Sequence, residues 1–179
     1  MKSVPIAEIH ADLAAAFGDM IGGLYHEPAE TGTAFIQVKR EWIRDVSIYL
    51  RDESLFQMNM LNVLSGLDLR RLKGAPDGLA VSYHMSALHP DGDRWRTVHR
   101  CALRVDVPID NPHVPSVSRV WRTAEWHERE AYDMFGIIFD GNPDLRRILL
   151  PDDWEGYPLR KDYVTPEFYN GMRIPYKAQ

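Results

Sequence analysis

Glu-Arg-Glu-Ala-Tyr-Asp-Met-Phe-Gly at residues 128–136 is followed by Asn-Pro-Asp-Leu-Arg-Arg-Ile-Leu at 142–149 and Trp-Glu-Gly-Tyr-Pro-Leu-Arg-Lys-Asp-Tyr at 154–163. Acidic, basic and aromatic side chains alternate through this stretch, and glycines and prolines interrupt it. Flexible linkers are instead poor in aromatic residues and rich in Ser, Gly and like charges. The composition therefore predicts a loop-rich segment that is laid against another surface.

The whole chain has the composition of a soluble globular protein. It has 179 residues, a net charge of -5, 45% hydrophobic residues and a single cysteine, Cys101. This length fits one domain, or one domain with a tail. The acidity argues against a nucleic-acid binder, and one cysteine excludes an internal disulfide or a site built from four of the chain's own cysteines. No apolar run is long enough to span a bilayer, and no signal-peptide core is present, so we expect a soluble protein on the cytoplasmic side.

Hydrophobic periodicity predicts three helices and five strands. Helices are expected over 6–17, over about 41–51, and from Pro115-Ser116 to Phe135, where Gly136 ends the helix. Strands are expected over 21–26, 33–38, 60–64, 79–87 and 101–107, and the last two form a hairpin. This order predicts an α+β fold with a mixed, largely antiparallel sheet and helices packed on one face, followed by an extended loop-rich C-terminal tail. We divide the chain into an α+β domain (1–139) and a C-terminal segment (140–179) that docks on its own domain and on a partner.

Glu128 falls on the apolar stripe of the last helix, where an unpaired carboxylate is costly. Two interpretations are open. Glu128 is either a general acid or base with a raised pKa, or a structural ion-pair partner of an arginine from the tail, Arg146 or Arg147. The structural interpretation is favoured, because no nucleophile or second catalytic group lies near it in sequence.

Other patterns that could carry chemistry are incomplete. His127-Glu128 lacks the second histidine of a zinc helix, since position 131 is alanine. A metal pair of His84 and His99 across the hairpin is a weak alternative. No phosphate-binding glycine pattern exists, and Cys101 reads as a core residue. The sequence thus predicts no catalytic, cofactor-binding or metal-binding residue in this chain.

The arginines and aromatic residues of the C-terminal tail indicate a role in binding another protein surface. Arginines of the tail can form bidentate pairs with carboxylates on this chain or a partner. The tail also carries the aromatic residue types enriched at interfaces, namely Trp154, Tyr157, Tyr163, Phe168, Tyr169 and Tyr176. Up to Leu150, packing on the chain's own domain and on a partner are equally open; beyond Pro166 a partner surface is favoured.

The first two blocks quoted above and residues 156–163 of the third, in this order and spacing, closely resemble the signature of the 30-kDa subunit family of respiratory complex I, which includes the C subunit of bacterial NADH–quinone oxidoreductase. The match covers about the last third of the chain. Asn142 departs from it, because many family members carry histidine there, and this weakens any role that needs an imidazole at that position.

The resemblance implies a non-catalytic subunit of the hydrophilic arm, peripheral on the cytoplasmic face of the inner membrane. It implies that FMN, Fe–S clusters and quinone are held by partner subunits, chiefly a 49-kDa-type subunit and neighbouring Fe–S subunits. Related membrane-bound hydrogenases and ferredoxin-linked photosynthetic complexes remain an alternative, and a freestanding hydrolase that uses Glu128 or Glu130 with a histidine is a third. The expected structural and interface residues are Glu128, Arg129, Glu130, Asp133, Asp144, Arg146, Arg147, Trp154, Arg160 and Asp162.

Overall fold

Alternating apolar residues in the middle of the chain build the central sheet. The computed structural model describes residues 3–26, 34–71 and 77–174. Five strands, in the spatial order β1-β2-β5-β4-β3, are β1 (Ile21–His26), β2 (Ala34–Val38), β3 (Met60–Asp68), β4 (Leu79–Asp91) and β5 (Arg94–Val107). All neighbouring pairs are antiparallel except β2 and β5, which are parallel. The predicted α+β class with a mixed, largely antiparallel sheet is confirmed.

The helices pack on the face of the sheet that carries Val81 and Tyr83. They are α1 (Ile6–Phe17), α2 (Ile43–Ile48) and α3 (Ala124–Phe135), with a short 3₁₀ turn before α2 and a π turn after it. Ile9 of α1, Ile43 of α2 and Ala131 of α3 lie in one buried cluster with these two strand residues. The hydrophobic core therefore lies between the helices and one sheet face, as the sequence predicts.

The five predicted strands are present, but three of them are longer than predicted. Strand β4 ends at Asp91 instead of Ala87, and β5 begins at Arg94 instead of Cys101, because the pairing of the two strands continues to Asp91 and Arg94. Strand β3 continues to Asp68, four residues beyond the predicted end, because it pairs with β4 over its whole length. The predicted residue Thr33 lies outside the described residues. Two small sheets lie outside the main one: β6 (His113–Pro115) pairs in parallel with β7 (Ile138–Asp140), and β8 (Phe168–Tyr169) forms a hairpin with β9 (Met172–Arg173). Strand β7 crosses the predicted domain boundary after residue 139.

The last helix begins eight residues later than predicted, at Ala124 instead of Ser116. The hydroxyl of Ser116 accepts a hydrogen bond from the backbone N–H of Ser118 at 3.1 Å. Such local side-chain-to-backbone bonds compete with helix formation. The residues between β6 and α3 consequently form turns, and only the second half of the predicted apolar stripe is helical.

Gly66 in β3 allows α3 to approach the sheet. A Cβ atom at this position would lie 2.5 Å from Cδ2 of Phe135, which is closer than two carbon atoms can approach. The Phe135 ring therefore occupies the volume that any other residue at position 66 would need. This contact fixes the C-terminal end of α3 over the edge strand.

We predict that Gly66→Ala destabilises the chain by about 1–3 kcal/mol, because the added methyl group overpacks the contact with Phe135. Urea unfolding followed by circular dichroism measures the change. Ser65→Ala is the matched control in the same strand, and since Ser65 is exposed it should change stability by less than about 0.5 kcal/mol. Equal stability of both variants would show that the ring does not fix the helix.

Candidate functional site

Asp133 lies at the C-terminal end of α3 and has no solvent-exposed surface. Its Oδ2 accepts hydrogen bonds from the backbone N–H groups of Ile148, Leu149 and Leu150 at 3.0, 2.7 and 3.0 Å. Its Oδ1 accepts a bond of 2.7 Å from Nη1 of Arg147. We call this arrangement the Asp133 junction. It holds residues 147–150 of the C-terminal segment against the helix through one carboxylate.

Burial and hydrogen bonding act in opposite directions on Asp133. Burial alone would raise the pKa of its carboxyl group, but the backbone N–H groups of residues 148–150 and the Arg147 guanidinium lower it. The net pKa lies below the ordinary value for aspartate. A carboxylate that accepts several N–H bonds is favoured in its charged form, so Asp133 is ionised in the folded chain.

Arg147 extends the junction to the third block of the signature. Its Nη2 donates to the backbone carbonyls of Trp154 and Gly156 at 2.9 and 3.1 Å. The guanidinium also lies over the Tyr157 ring, 5.5 Å from its centroid. One largely buried arginine thereby connects the helix to two successive turns of the segment.

Gly136 ends α3 with a left-handed backbone, at φ 70°. A Cβ atom there would lie 2.5 Å from the Tyr157 ring and 2.8 Å from Nη2 of Arg160. Arg160 donates a hydrogen bond through Nε to the backbone carbonyl of Phe135 and lies over the same Tyr157 ring, 4.6 Å from its centroid. The glycine therefore serves both the helix end and the close approach of the segment.

A second set of charges holds the segment to the end of β3. Arg70 donates to both carboxylate oxygens of Asp162, at 2.7 and 2.8 Å, and also to the carboxylate of Asp68. The backbone N–H of Lys161 donates to Asp68 at 2.8 Å. The pKa of Asp68 is lowered to about 2, since the bonds from Arg70 and Lys161 outweigh the opposing effect of burial. The bond from Arg70 likewise lowers the pKa of Asp162 to about 2.

Glu128 is fully buried, but the predicted ion pair with Arg146 or Arg147 is wrong. Its Oε2 accepts hydrogen bonds of 2.7 Å from the Ser116 hydroxyl and the Asn142 side-chain amide, and its Oε1 accepts one of 2.7 Å from the Val117 N–H. Burial raises the pKa of Glu128, and these three donors oppose the rise. Neutral donors therefore satisfy both carboxylate oxygens of Glu128 without an arginine. Arg147 is instead held by Asp133, further along the helix.

The remaining expected site residues differ in how far they are buried and in what they contact. Trp154 packs within the segment: its indole N–H donates to the Tyr163 hydroxyl at 3.0 Å. Arg129 is buried and lies 3.5 Å from Asp144. Arg146 pairs with Asp144 at 2.9 Å, but 68% of its side chain is exposed. Glu130 is exposed and lies outside both charge sets. The tail residue Tyr176 lies outside the described residues.

Sequence reasoning missed Asp68, Arg70 and Ser116. The only signal for the first two is a pair of opposite charges two residues apart at the end of a strand. That pattern is common on protein surfaces and does not show that Asp162 completes it.

The structure does not bring together the residues of two alternative sites, the His84–His99 metal pair and a hydrolase site of Glu128 with a histidine. His84 and His99 lie on opposite faces of the sheet, because His84 is paired with Ala102 and His99 with Ala87. Glu128 has no exposed surface, and its hydrogen-bond donors include no histidine among the described residues. Burial raises the pKa of the Cys101 thiol to about 12, as suits a core residue. No three His, Cys, Asp or Glu side chains within the described ranges are placed to hold a metal ion.

Residues 36–169 match the family model described as respiratory-chain NADH dehydrogenase, 30 Kd subunit. The chain belongs to this family. One relative, the C subunit of the NADH-quinone oxidoreductase of Chlorobium phaeobacteroides, is 40% identical over 160 residues, which cover 89% of each chain. The family assignment from the three sequence blocks is thus confirmed.

Solved structures share the fold. A trypsin-resistant fragment of Nqo5 superposes with a TM-score of 0.61 at 30% identity, covering 79% of this chain and all of the fragment. A chain of the membrane-bound sulfane sulfur reductase, an archaeal respiratory membrane complex, superposes with a TM-score of 0.62 at 21% identity, covering 88% of this chain and 85% of that chain. The second likeness concerns the fold alone. Among the described helices of this 30-kDa family member, none is long and apolar enough to cross a membrane.

We predict that Asp133→Asn destabilises the chain by about 3–5 kcal/mol, because it leaves Arg147 without its charged partner and replaces a junction acceptor with a donor. Urea unfolding measures the loss. The matched control is Asp152→Asn, which changes an exposed carboxylate of the same segment and should cost less than about 0.5 kcal/mol. A loss no larger than that of the control would show that the junction does not hold the segment.

The charge sets also predict acid sensitivity. Asp68 and Asp162 have pKa values of about 2 in the folded chain, against 3.8 for ordinary aspartate. Their stabilising contribution is therefore complete above about pH 4 and is lost as the pH falls towards 2. Urea unfolding at stepped pH should show this decline, and Arg70→Gln should reduce it. An equally steep decline in the variant would assign the acid sensitivity to other carboxylates.

Proposed function

We propose that this chain is a non-catalytic structural subunit of the hydrophilic arm of a proton-translocating NADH–quinone oxidoreductase. Electrons in such a complex pass from NADH through FMN and Fe–S clusters to quinone. Membership of the 30-kDa family and the name of the Chlorobium relative support this proposal. In this role the chain contributes shape and attachment instead of a reacting group.

The observation that carries the structural role is the division of the C-terminal segment into two sides. Largely buried charges, led by Asp133 and Arg147, fasten its inner side to α3. Its outer side displays apolar side chains that are at least half exposed, namely Leu149, Leu159, Val164, Phe168 and Met172. Aromatic residues and methionine are enriched at protein interfaces, so Phe168 and Met172 suit a contact with a partner. A segment held this firmly can bind a partner with little further loss of conformational entropy.

We further propose that the partners are the 49-kDa-type subunit and neighbouring Fe–S subunits, on the cytoplasmic face of the inner membrane. FMN, the Fe–S clusters and quinone are then held by those subunits and not by this chain. The single buried cysteine supports this division, because cluster binding needs several accessible thiolates. We also propose residues 1–139 as the α+β domain and 140–179 as the segment that docks on both the domain and the partner.

A second candidate is the equivalent subunit of a membrane-bound hydrogenase or a ferredoxin-linked complex. The fold shared with a chain of the membrane-bound sulfane sulfur reductase is consistent with this second candidate. Purification of the native complex from membranes separates the two candidates. Quinone reduction with NADH supports the first, and activity with hydrogen or reduced ferredoxin but not NADH supports the second.

The outer side of the segment generates a direct test. We predict that Val164→Asp combined with Phe168→Asp lowers the amount of assembled complex, because two charges are placed on an apolar contact. Native gel electrophoresis of membranes and NADH–quinone activity measure the effect. Both side chains are largely exposed, so thermal unfolding of the isolated chain should not change.

Leu55→Asp is the matched control, because Leu55 is an exposed apolar residue (92%) that lies outside the segment. Assembly of this variant should equal that of the wild type. If the double variant assembles as well as the control, the segment is not the partner surface.

A further inference from the structure

The sheet has a second face that the helices leave open. In the described residues, Ala80, Ser82, His84 and Ser86 of β4 point away from the core, as do Ala102 and Arg104 of β5, which pair with His84 and Ser82. We call this surface the helix-free face. The small side chains at its centre, Ala80, Ser82, Ser86 and Ala102, are at most 9% exposed, so the accessible part of this face lies around His84 and Arg100.

The helix-free face has the composition of a protein interface. Strands β2 to β5 contain no lysine and no glutamate. The face instead presents arginine, histidine and the exposed Met60 and Val63, while Phe35 is buried beneath Arg104. Interface cores are enriched in aromatic residues, methionine and arginine, and depleted in lysine and glutamate. This pattern differs from an ordinary solvated surface, which is rich in both.

Arg104 is held in place on this face. Its guanidinium lies 3.9 Å above the Phe35 ring, and its Nε forms an ion pair with Oδ1 of Asp106 at 3.7 Å. These two atoms are buried. Arg104 and Asp106 therefore balance each other's charge, which leaves Arg100 as the exposed cation of the face.

A cavity of about 440 Å³ reaches this face, where it is lined by Asn62, His84, Arg100 and Ala102; its other lining residues are Ile6 of α1, Ala34, Met85 and Cys101. The Asn62 carbonyl oxygen already accepts a bond from Ser86, which leaves its NH₂ group as a donor. One His84 ring nitrogen contacts the Ser82 hydroxyl, which leaves the other nitrogen available. Arg100 is exposed and makes no ion pair within the described part of the chain. Three donor-bearing side chains thus line one opening.

Charge decides which partner fits. The chain as a whole has more acidic than basic residues, with a net charge of -5. The helix-free face reverses this balance: its described charged side chains are Arg100, Arg104 and Asp106. Arginine binds carboxylates through paired, charge-assisted hydrogen bonds. The cavity is therefore complementary to an acidic side chain.

We propose that the helix-free face binds an acidic segment of a neighbouring subunit, with a carboxylate seated in the cavity beside Arg100, His84 and Asn62. This surface is separate from the outer side of the C-terminal segment, so the chain has two attachment faces. The inference rests on the proposed function, because it assumes that the chain is part of a multisubunit complex.

The test uses Arg100→Lys in the intact complex. An amine-acetylating reagent should modify the introduced lysine about tenfold more slowly in the complex than in the isolated chain, because packed interfaces exclude solvent. A zero-length carboxyl-to-amine cross-linker should join the same lysine to an aspartate or glutamate of another subunit, identified by mass spectrometry. Arg122→Lys is the control, since Arg122 is exposed and lies outside the face.

A complex in which the introduced lysine stays as reactive as in the isolated chain overturns the inference and leaves the proposed function standing. A cross-link to a second copy of this chain overturns it as well. A chain that forms no complex overturns both. Arg100→Glu adds an independent readout: like charges across an interface are strongly repulsive, so it should lower assembly about tenfold or more, and Arg100→Gln should lower it less. Equal assembly of these two variants contradicts the acidic partner.

Discussion

The position of the segment that follows α3 depends on the hydrogen bonds that the carboxylate of Asp133 accepts. A buried charge is tolerable only when donors surround it, and here three successive backbone N–H groups and Arg147 do so. The chain after α3 has little regular structure that could hold it in place. Charge-assisted hydrogen bonds instead hold residues 147–150 against α3.

The same helix solves the burial of two acids in two ways. Glu128 faces the turns before α3 and is surrounded by neutral donors, so burial dominates and its pKa rises. Asp133 faces the segment after α3, where backbone N–H groups and a guanidinium lower its pKa. Asn142 connects the two regions, because its amide donates to Glu128 while its carbonyl oxygen accepts the N–H of Asp144. The signature blocks are therefore one connected polar framework around a single helix.

The sequence was sufficient to predict the sheet, the position of the helices on one face and the buried state of Glu128, because periodicity reports directly which side chains face a core. It was insufficient for the start of α3, because the Ser116 hydroxyl competes with the helix for a backbone N–H group, and the spacing of apolar residues does not show this competition. It also paired Glu128 with the wrong residue. Sequence spacing shows that acids and arginines are present, but only the path of the chain decides that Arg147 reaches Asp133 and that Arg70, far upstream, reaches Asp162.

A segment that is held by buried charges on its inner side and is apolar on its outer side suits a chain that joins proteins while electrons pass through others. Amide hydrogen exchange, measured residue by residue on the isolated chain and on the chain in its native complex, tests this claim most directly. The account predicts that the amides of residues 148–150 are protected in both states, and that amides around Val164 and Phe168 gain protection only in the complex. Rapid exchange at residues 148–150 in the isolated chain, or no added protection around Val164 and Phe168 in the complex, would contradict it.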